Sequence, residues 1–159
     1  MNSPESGRKS EPQGRLANPT EAEVVIRSII EDDVDAVIAL AGSLIKKEEI
    51  VALGPGGKFD LSFVAEAGGR IVGYILARMV YLGIPLSRIC TIYGIIVDHE
   101  YRRQGIGDRL VSTLAERCKQ QGIQTVRALV DENDTELCDF ARELGFRRSP
   151  IANYDRVLY

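Results

Sequence analysis

The sequence predicts a mixed α/β (α+β) domain: a mainly antiparallel sheet with helices on both faces. Three observations carry that expectation. Two apolar, strand-like runs, Leu61 to Glu66 and Ile71 to Val80, flank the turn Ala67-Gly68-Gly69-Arg70, a strong hairpin signal. A third apolar run, Thr91 to Val97, gives way through a glycine-rich turn to an amphipathic helix beginning near Gly105. Ile123 to Val130 shows little polar alternation, as expected of a central strand covered on both faces.

The remaining elements follow in order. Met1 to about Thr20 is Ser, Pro, Gly, Asn and Glu with almost nothing apolar, so it reads as a mobile tail ahead of a domain over 21–159. Val24 to Ile29 is β-branched and strand-like. Glu31-Asp32-Asp33 supplies acidic residues for a helix start, and Val34, Val37, Ile38, Ala41 and Leu44/Ile45 form an apolar stripe at helical spacing. Lys46 to Asp60 is broken at Gly54-Pro55-Gly56-Gly57. Leu82 to Leu86 is a loop before the third run. The helix from Gly105 to Gln121 turns Leu110, Val111, Leu114, Ala115 and Cys118 inward and stops at Gly122. Asn133/Asp134 opens a last helix ending at Gly145, and Phe146 to Leu158 reads as two short strands or an interrupted hairpin. The order is β-α-(α)-β-β-β-α-β-α-β-β, with no internal repeat.

With 159 residues the chain suits one domain with a proper core. Apolar residues at 45% and charged residues at 27% exclude wholesale disorder. No apolar run approaches the roughly 18–20 residues of a membrane span, and no signal-peptide pattern follows the N-terminus. Three widely spaced cysteines, Cys90, Cys118 and Cys138, argue for reduced thiols and a cytoplasmic setting. No zinc spacing is present and there is a single histidine, so no metal is expected. A net charge of −3 makes nucleic acid an unsuitable partner.

The most informative run is Arg102-Arg103-Gln104-Gly105-Ile106-Gly107, between strand and helix. The first N–H groups of a helix lack intrahelical partners, and the macrodipole adds positive charge there. Glycines let a pyrophosphate approach those groups, and Arg102 and Arg103 add two permanent charges. A Walker loop fails because Asp108-Arg109 stands where Lys-Ser/Thr is needed. A Rossmann fingerprint fails because the third glycine is missing.

The run matches Arg/Gln-x-x-Gly-x-Gly/Ala, the acyl-CoA pyrophosphate motif of the GNAT family of N-acetyltransferases. Around it, Tyr93 to Arg102 resembles that family's fourth strand and the approach to the loop. Phe63 to Ile75 resembles its β2–β3 hairpin, and Asn133 with Phe140 to Phe146 resembles its fourth helix and Leu-Gly-Phe exit. The resemblance spans about Val24 to Leu158. It implies the GNAT fold, with the sheet splayed between strands 4 and 5 and acetyl-CoA as co-substrate in that cleft. It places the cofactor on the backbone of Ile95, Ile96 and Val97, on Arg102, Arg103, Gln104, Gly105, Ile106, Gly107 and Asp108, and on Asn133 and Phe140. The acceptor site is expected between Lys46–Asp60 and Leu82–Leu86.

Acyl transfer to an amine needs an anchored thioester, a polarised carbonyl, a neutral amine and a tolerated thiolate. Three acid/base positions of the family are empty here: Ala141, Thr91 and Ala128 stand where Tyr, an acid and Glu occur. The remaining catalytic candidates are Tyr93, two residues beyond Thr91 on the same strand face, and Glu66. Asp98, His99, Tyr154 and Asp155 are weaker ones. Asn133 has a plainer role as a helix N-cap. The expected activity is direct attack of a primary amine, on a protein or a small molecule, in a ternary complex. The alternative is an acyl-CoA-binding sensor that does not turn over. A homodimer is left as an option.

Overall fold

The computed structural model describes residues 22–159, so the expected tail lies outside the described residues. Among the described residues five strands pair in sequence order: β1 (Val24–Ser28), β2 (Phe63–Ala67), β3 (Arg70–Leu82), β4 (Ser87–Val97) and β5 (Val126–Ala128). The first four are antiparallel, and β5 runs parallel to β4. The helices are α1 (Val34–Ala41), α2 (Lys47–Ala52), α3 (Ile106–Gln120) and α4 (Thr135–Glu143).

Alternation along β2 and β3 builds two cores. Phe63, Ala65, Ile75 and Ala77 face one way and pack with Ile106, Leu110, Leu114 and Cys118 of α3. Val64, Tyr74 and Leu76 face the other way and pack with Val34, Val37 and Ala41 of α1 and Ile50 of α2. Helices on both faces of a mainly antiparallel sheet are what the sequence predicts. The hairpin turn falls at Gly68-Gly69, both with positive φ.

Two expectations are corrected. Phe146 to Leu158 forms no strand; Ile151, Tyr154, Val157 and Leu158 are all exposed. Pro150 removes a backbone donor, and Arg147, Arg148, Asp155 and Arg156 favour solvent over a sheet edge. With no hairpin beside it, β5 is the edge of the sheet rather than a covered central strand, and only three of the eight predicted residues pair.

β4 and β5 meet only over Cys90–Ile92 and Val126–Ala128. Beyond Ile92, β4 continues to Val97 paired with β3 alone. The sheet therefore splays between its last two strands. The cleft that opens there is the feature on which the site is built.

Candidate active site

The cleft has a volume of about 260 Å³. Its floor is β4 from Ile92 to Ile96, one wall is Ala128–Val130, and α4 contributes Leu137, Phe140, Ala141 and Leu144. Leu44 and Ile45, between α1 and α2, close it from the other face of the sheet. A larger hollow of about 370 Å³ lies near the C-terminal end of α3, lined by Ala115, Cys118, Lys119, Ile123, Gln124 and Val126. It is distant from the glycine loop and has little chemistry in its walls.

The loop at 102–105 is shaped for an anion. Gly105 caps α3 with φ of 74°, a left-handed conformation that glycine takes without strain. Arg103 also has a positive φ, 61°, an uncommon state for a side chain other than Asn or Asp. Within α3 the Arg109 N–H is the first to bond back, to the Gly105 carbonyl at 3.0 Å. The N–H groups of Ile106, Gly107 and Asp108 precede it and have no intrahelical acceptor. Arg102 donates from Nε to the Val97 carbonyl at 3.1 Å, tying the loop to the end of β4. Arg102, Arg103, Gln104 and Asp108 are exposed around this helix end.

The loop and the cleft are continuous. A Cβ on Gly107 would lie 3.6 Å from Leu144 and 4.0 Å from Phe140, both cleft residues. The side chain of Ile106 is buried in the α3 core, so only its backbone belongs to the loop. Ile95 and Ile96 line the cleft, and Val97 closes the row as its carbonyl holds Arg102. Among the described residues their β5-side edge carries no sheet partner, which leaves backbone groups available to an extended ligand.

Tyr93 sits at an irregularity. The β3–β4 register passes from Leu76↔Gly94 to Ala77↔Ile92, so Tyr93 is an extra residue, a β-bulge. The expectation that it shares a face with Thr91 rested on strict alternation, which the bulge interrupts. The bulge re-aims Tyr93, which lines the cleft with 48% of its surface exposed.

Other candidates lie elsewhere. Glu66 accepts from Arg27 Nε at 2.7 Å, and the same guanidinium forks onto Asp33 at 2.7 and 2.8 Å. This ion pair and the intervening β3 keep Glu66 out of the cleft lining. Asn133 is not the N-cap: Asp134 caps α4 by accepting from the Leu137 N–H at 2.9 Å. The Asn133 side-chain amide donates to Asp131 at 3.0 Å, beside the cleft rather than in it. Asp98 is engaged by Arg70 at 2.6 Å and by the Glu100 N–H. His99, Tyr154 and Asp155 are exposed and outside the cleft lining. Leu82 to Leu86 forms the far tip of the β3–β4 hairpin and takes no part, because the strands run on past Val80.

One lining residue went unread in the sequence. Tyr74 is fully buried, and its hydroxyl has no hydrogen-bond partner among the described residues. Burial pushes its pKa up to about 12. A tyrosine within the apolar run Ile71 to Ala77 is the signal that could have marked it.

The model of the acetyltransferase (GNAT) family matches residues 27–146. The chain belongs to that family. It is 28% identical over 93 residues to an uncharacterized N-acetyltransferase of Methanocaldococcus jannaschii, covering 58% of this chain and 41% of that protein. It is 34% identical over 85 residues to a probable N-acetyltransferase 14 of Danio rerio, covering 54% of this chain and 29% of that one. The matches thus span less than half the length of either relative.

Among solved structures, the aminoglycoside N-acetyltransferase AAC(6')-Iy in complex with CoA superposes with a TM-score of 0.74 at 18% identity, over 88% of this chain and 98% of that one. The aminoglycoside 6'-N-acetyltransferase AAC(6')-Ih from Acinetobacter baumannii gives 0.74 at 20% identity, over 86% and 99%. At such identities the likeness is one of fold. No helix among the described residues is long and apolar enough to cross a membrane.

Proposed function

We propose that this chain transfers the acetyl group of acetyl-CoA to a primary amine by direct attack. The observation that carries the reading is the continuity of the α3 N-terminus with the apolar cleft between β4 and β5. The free N–H groups of Ile106, Gly107 and Asp108, with Arg102, Arg103 and Gln104, suit a pyrophosphate. The unpaired edge of β4 at Ile95, Ile96 and Val97 suits the amide-bearing pantetheine arm, with Phe140 against its thiol end. Asn133, beside that arm, is a further contact.

In the transfer, a backbone N–H of this β4 edge donates to the thioester oxygen as negative charge builds there. The amine lone pair forms the C–N bond, the C–S bond breaks, and the sulfur leaves with the electron pair. Tyr93, half exposed at the bulge, is placed to donate a proton to that thiolate directly or through water. A thiol of pKa about 8.5 is in any case a tolerable leaving group. Glu66, held by Arg27, drops out as a base, and the amine loses its proton to solvent.

Among the described residues no carboxylate or imidazole lines the cleft, which favours a second reading, an acyl-CoA sensor without turnover. The same lining offers no counter-charge to a polycation, so an amine on a neutral or apolar stem fits better than an aminoglycoside. Protein and small-molecule acceptors both satisfy this, and a homodimer is compatible with it. The sparse, unpaired cysteines support a reducing, cytoplasmic setting.

Thiol release from acetyl-CoA is the test, with a panel of monoamines, polyamines, aminoglycosides and amine-bearing peptides. The transfer reading predicts amine-dependent release above the hydrolytic background. Tight CoA binding with no release for any amine would establish the sensor instead.

A further inference from the structure

Among the described residues, the Tyr74 hydroxyl is the buried side-chain oxygen left without a hydrogen-bond partner. An orphaned buried hydroxyl costs about 1–3 kcal/mol, and a phenylalanine would fill the same core without that cost. The ring belongs to the core beneath α1, yet Tyr74 also lines the cleft. A Cβ on Gly94 would lie 3.9 Å from Tyr74 Cε2 and 3.7 Å from Ile45 Cδ1. The missing side chain at Gly94 thus leaves a small space between these two residues, on the face of β4 opposite α3.

The two faces of the sheet differ at this point. The glycine loop and α3 lie on one face of the sheet, and Tyr74, Leu76 and Ile96 pack towards α1 on the other. A donor anchored at the α3 N-terminus enters the gap from its own side. A polar group that reaches Tyr74 past Ile45 comes from the opposite face, the α1 side.

We propose that the Tyr74 hydroxyl is the acceptor contact of the transfer, accepting an N–H hydrogen bond from the neutral amine and aiming its lone pair at the thioester carbon. This rests on the acetyl-transfer reading above and deepens it. The hydroxyl keeps its own proton throughout, since burial makes the phenolate inaccessible near neutrality. The amine's surplus proton goes to solvent or, by way of Tyr93, to the departing thiolate. Tyr74 therefore orients the nucleophile and Tyr93 serves the leaving group.

The experiment is steady-state kinetics of Tyr74→Phe with an amine that the wild-type chain acetylates, alongside CoA calorimetry and a thermal melt. The variant deletes an oxygen that bonds to nothing among the described residues, so its midpoint should equal or exceed that of the wild type. The expected result is a fall of about 10- to 100-fold in kcat/KM for the amine. The KM for acetyl-CoA, the CoA affinity and the position of the pH–rate profile should be unchanged. Wild-type amine kinetics in the folded variant would overturn the proposal, as would a loss confined to the KM for acetyl-CoA. If the wild-type chain binds CoA but acetylates no amine, the transfer reading fails first and this proposal falls with it. Amine transfer by the wild type with no effect of Tyr74→Phe removes this proposal alone.

Discussion

Tyr93 and Tyr74 illustrate how much a single residue's surroundings decide. Both are tyrosines on strands of one cleft, yet one is half exposed at a bulge and the other is sealed with an unpaired hydroxyl. If Tyr93 protonates the thiolate, Tyr93→Phe lowers kcat about 100-fold and leaves the KM for acetyl-CoA unchanged. Unaltered turnover in that variant would assign the proton to bulk water. Tyr93 was legible as a candidate because it stands beside a recognisable loop. Tyr74 was not, because a buried aromatic in a strand looks like packing until the hydrogen bonds around it are counted. Glu66 was misplaced for the opposite reason: its partner, Arg27, lies 39 positions away in sequence.

Elements set the site through their ends and their registers. Arg27 holds Asp33 at the entry to α1, and its guanidinium keeps that carboxyl below the usual carboxylate range despite burial. A depressed carboxylate stabilises the fold fully above the unfolded value of about 3.9 and stops doing so as pH falls through the folded value. Asp33→Asn should therefore cost about 1–3 kcal/mol near neutrality, discounted for the part-exposed arginine. Thermal midpoints across pH 2–7 check this: the gap from wild type should close only below about pH 4. A gap independent of pH would show that the ion pair contributes nothing.

The β3–β4 register carries a second constraint. A Cβ on Gly73 would come within 3.2 Å of the Ile96 carbonyl, which is backbone in a paired strand and cannot easily give. Gly73→Ala should cost about 1–3 kcal/mol in chemical denaturation, the scale of overpacking. It should also disturb CoA binding through Ile96; a fully stable variant would mean that the strands slide freely there. The hairpin and the strand–glycine–helix unit were legible because local turn chemistry fixes them. The bulge at Tyr93 and the short edge strand β5 were not, since pairing partners decide both.

For the molecule as a whole, the candidate cleft follows from a sheet whose last two strands diverge. The eight residues from Ile123 to Val130, five of them apolar, look like a full central strand, and nothing local says that only three will pair. That outcome depends on the segment after Phe146 staying off the edge, a tertiary fact that composition conceals. The family motifs nevertheless pointed to the glycine loop beside this cleft, because strand, turn and helix place it where β4 ends and α3 begins. The central claim is that CoA binds with its pyrophosphate on the α3 N-terminus and its arm in the β4–β5 cleft. Calorimetry of CoA with the wild-type chain and Gly107→Glu tests this most directly. A glutamate there sets bulk and negative charge beside the free N–H groups and against Leu144 and Phe140. The account predicts measurable CoA binding by the wild type and a loss of about 100-fold or more in a variant that still melts cooperatively. Wild-type affinity in folded Gly107→Glu, or no CoA binding by the wild-type chain, would contradict it.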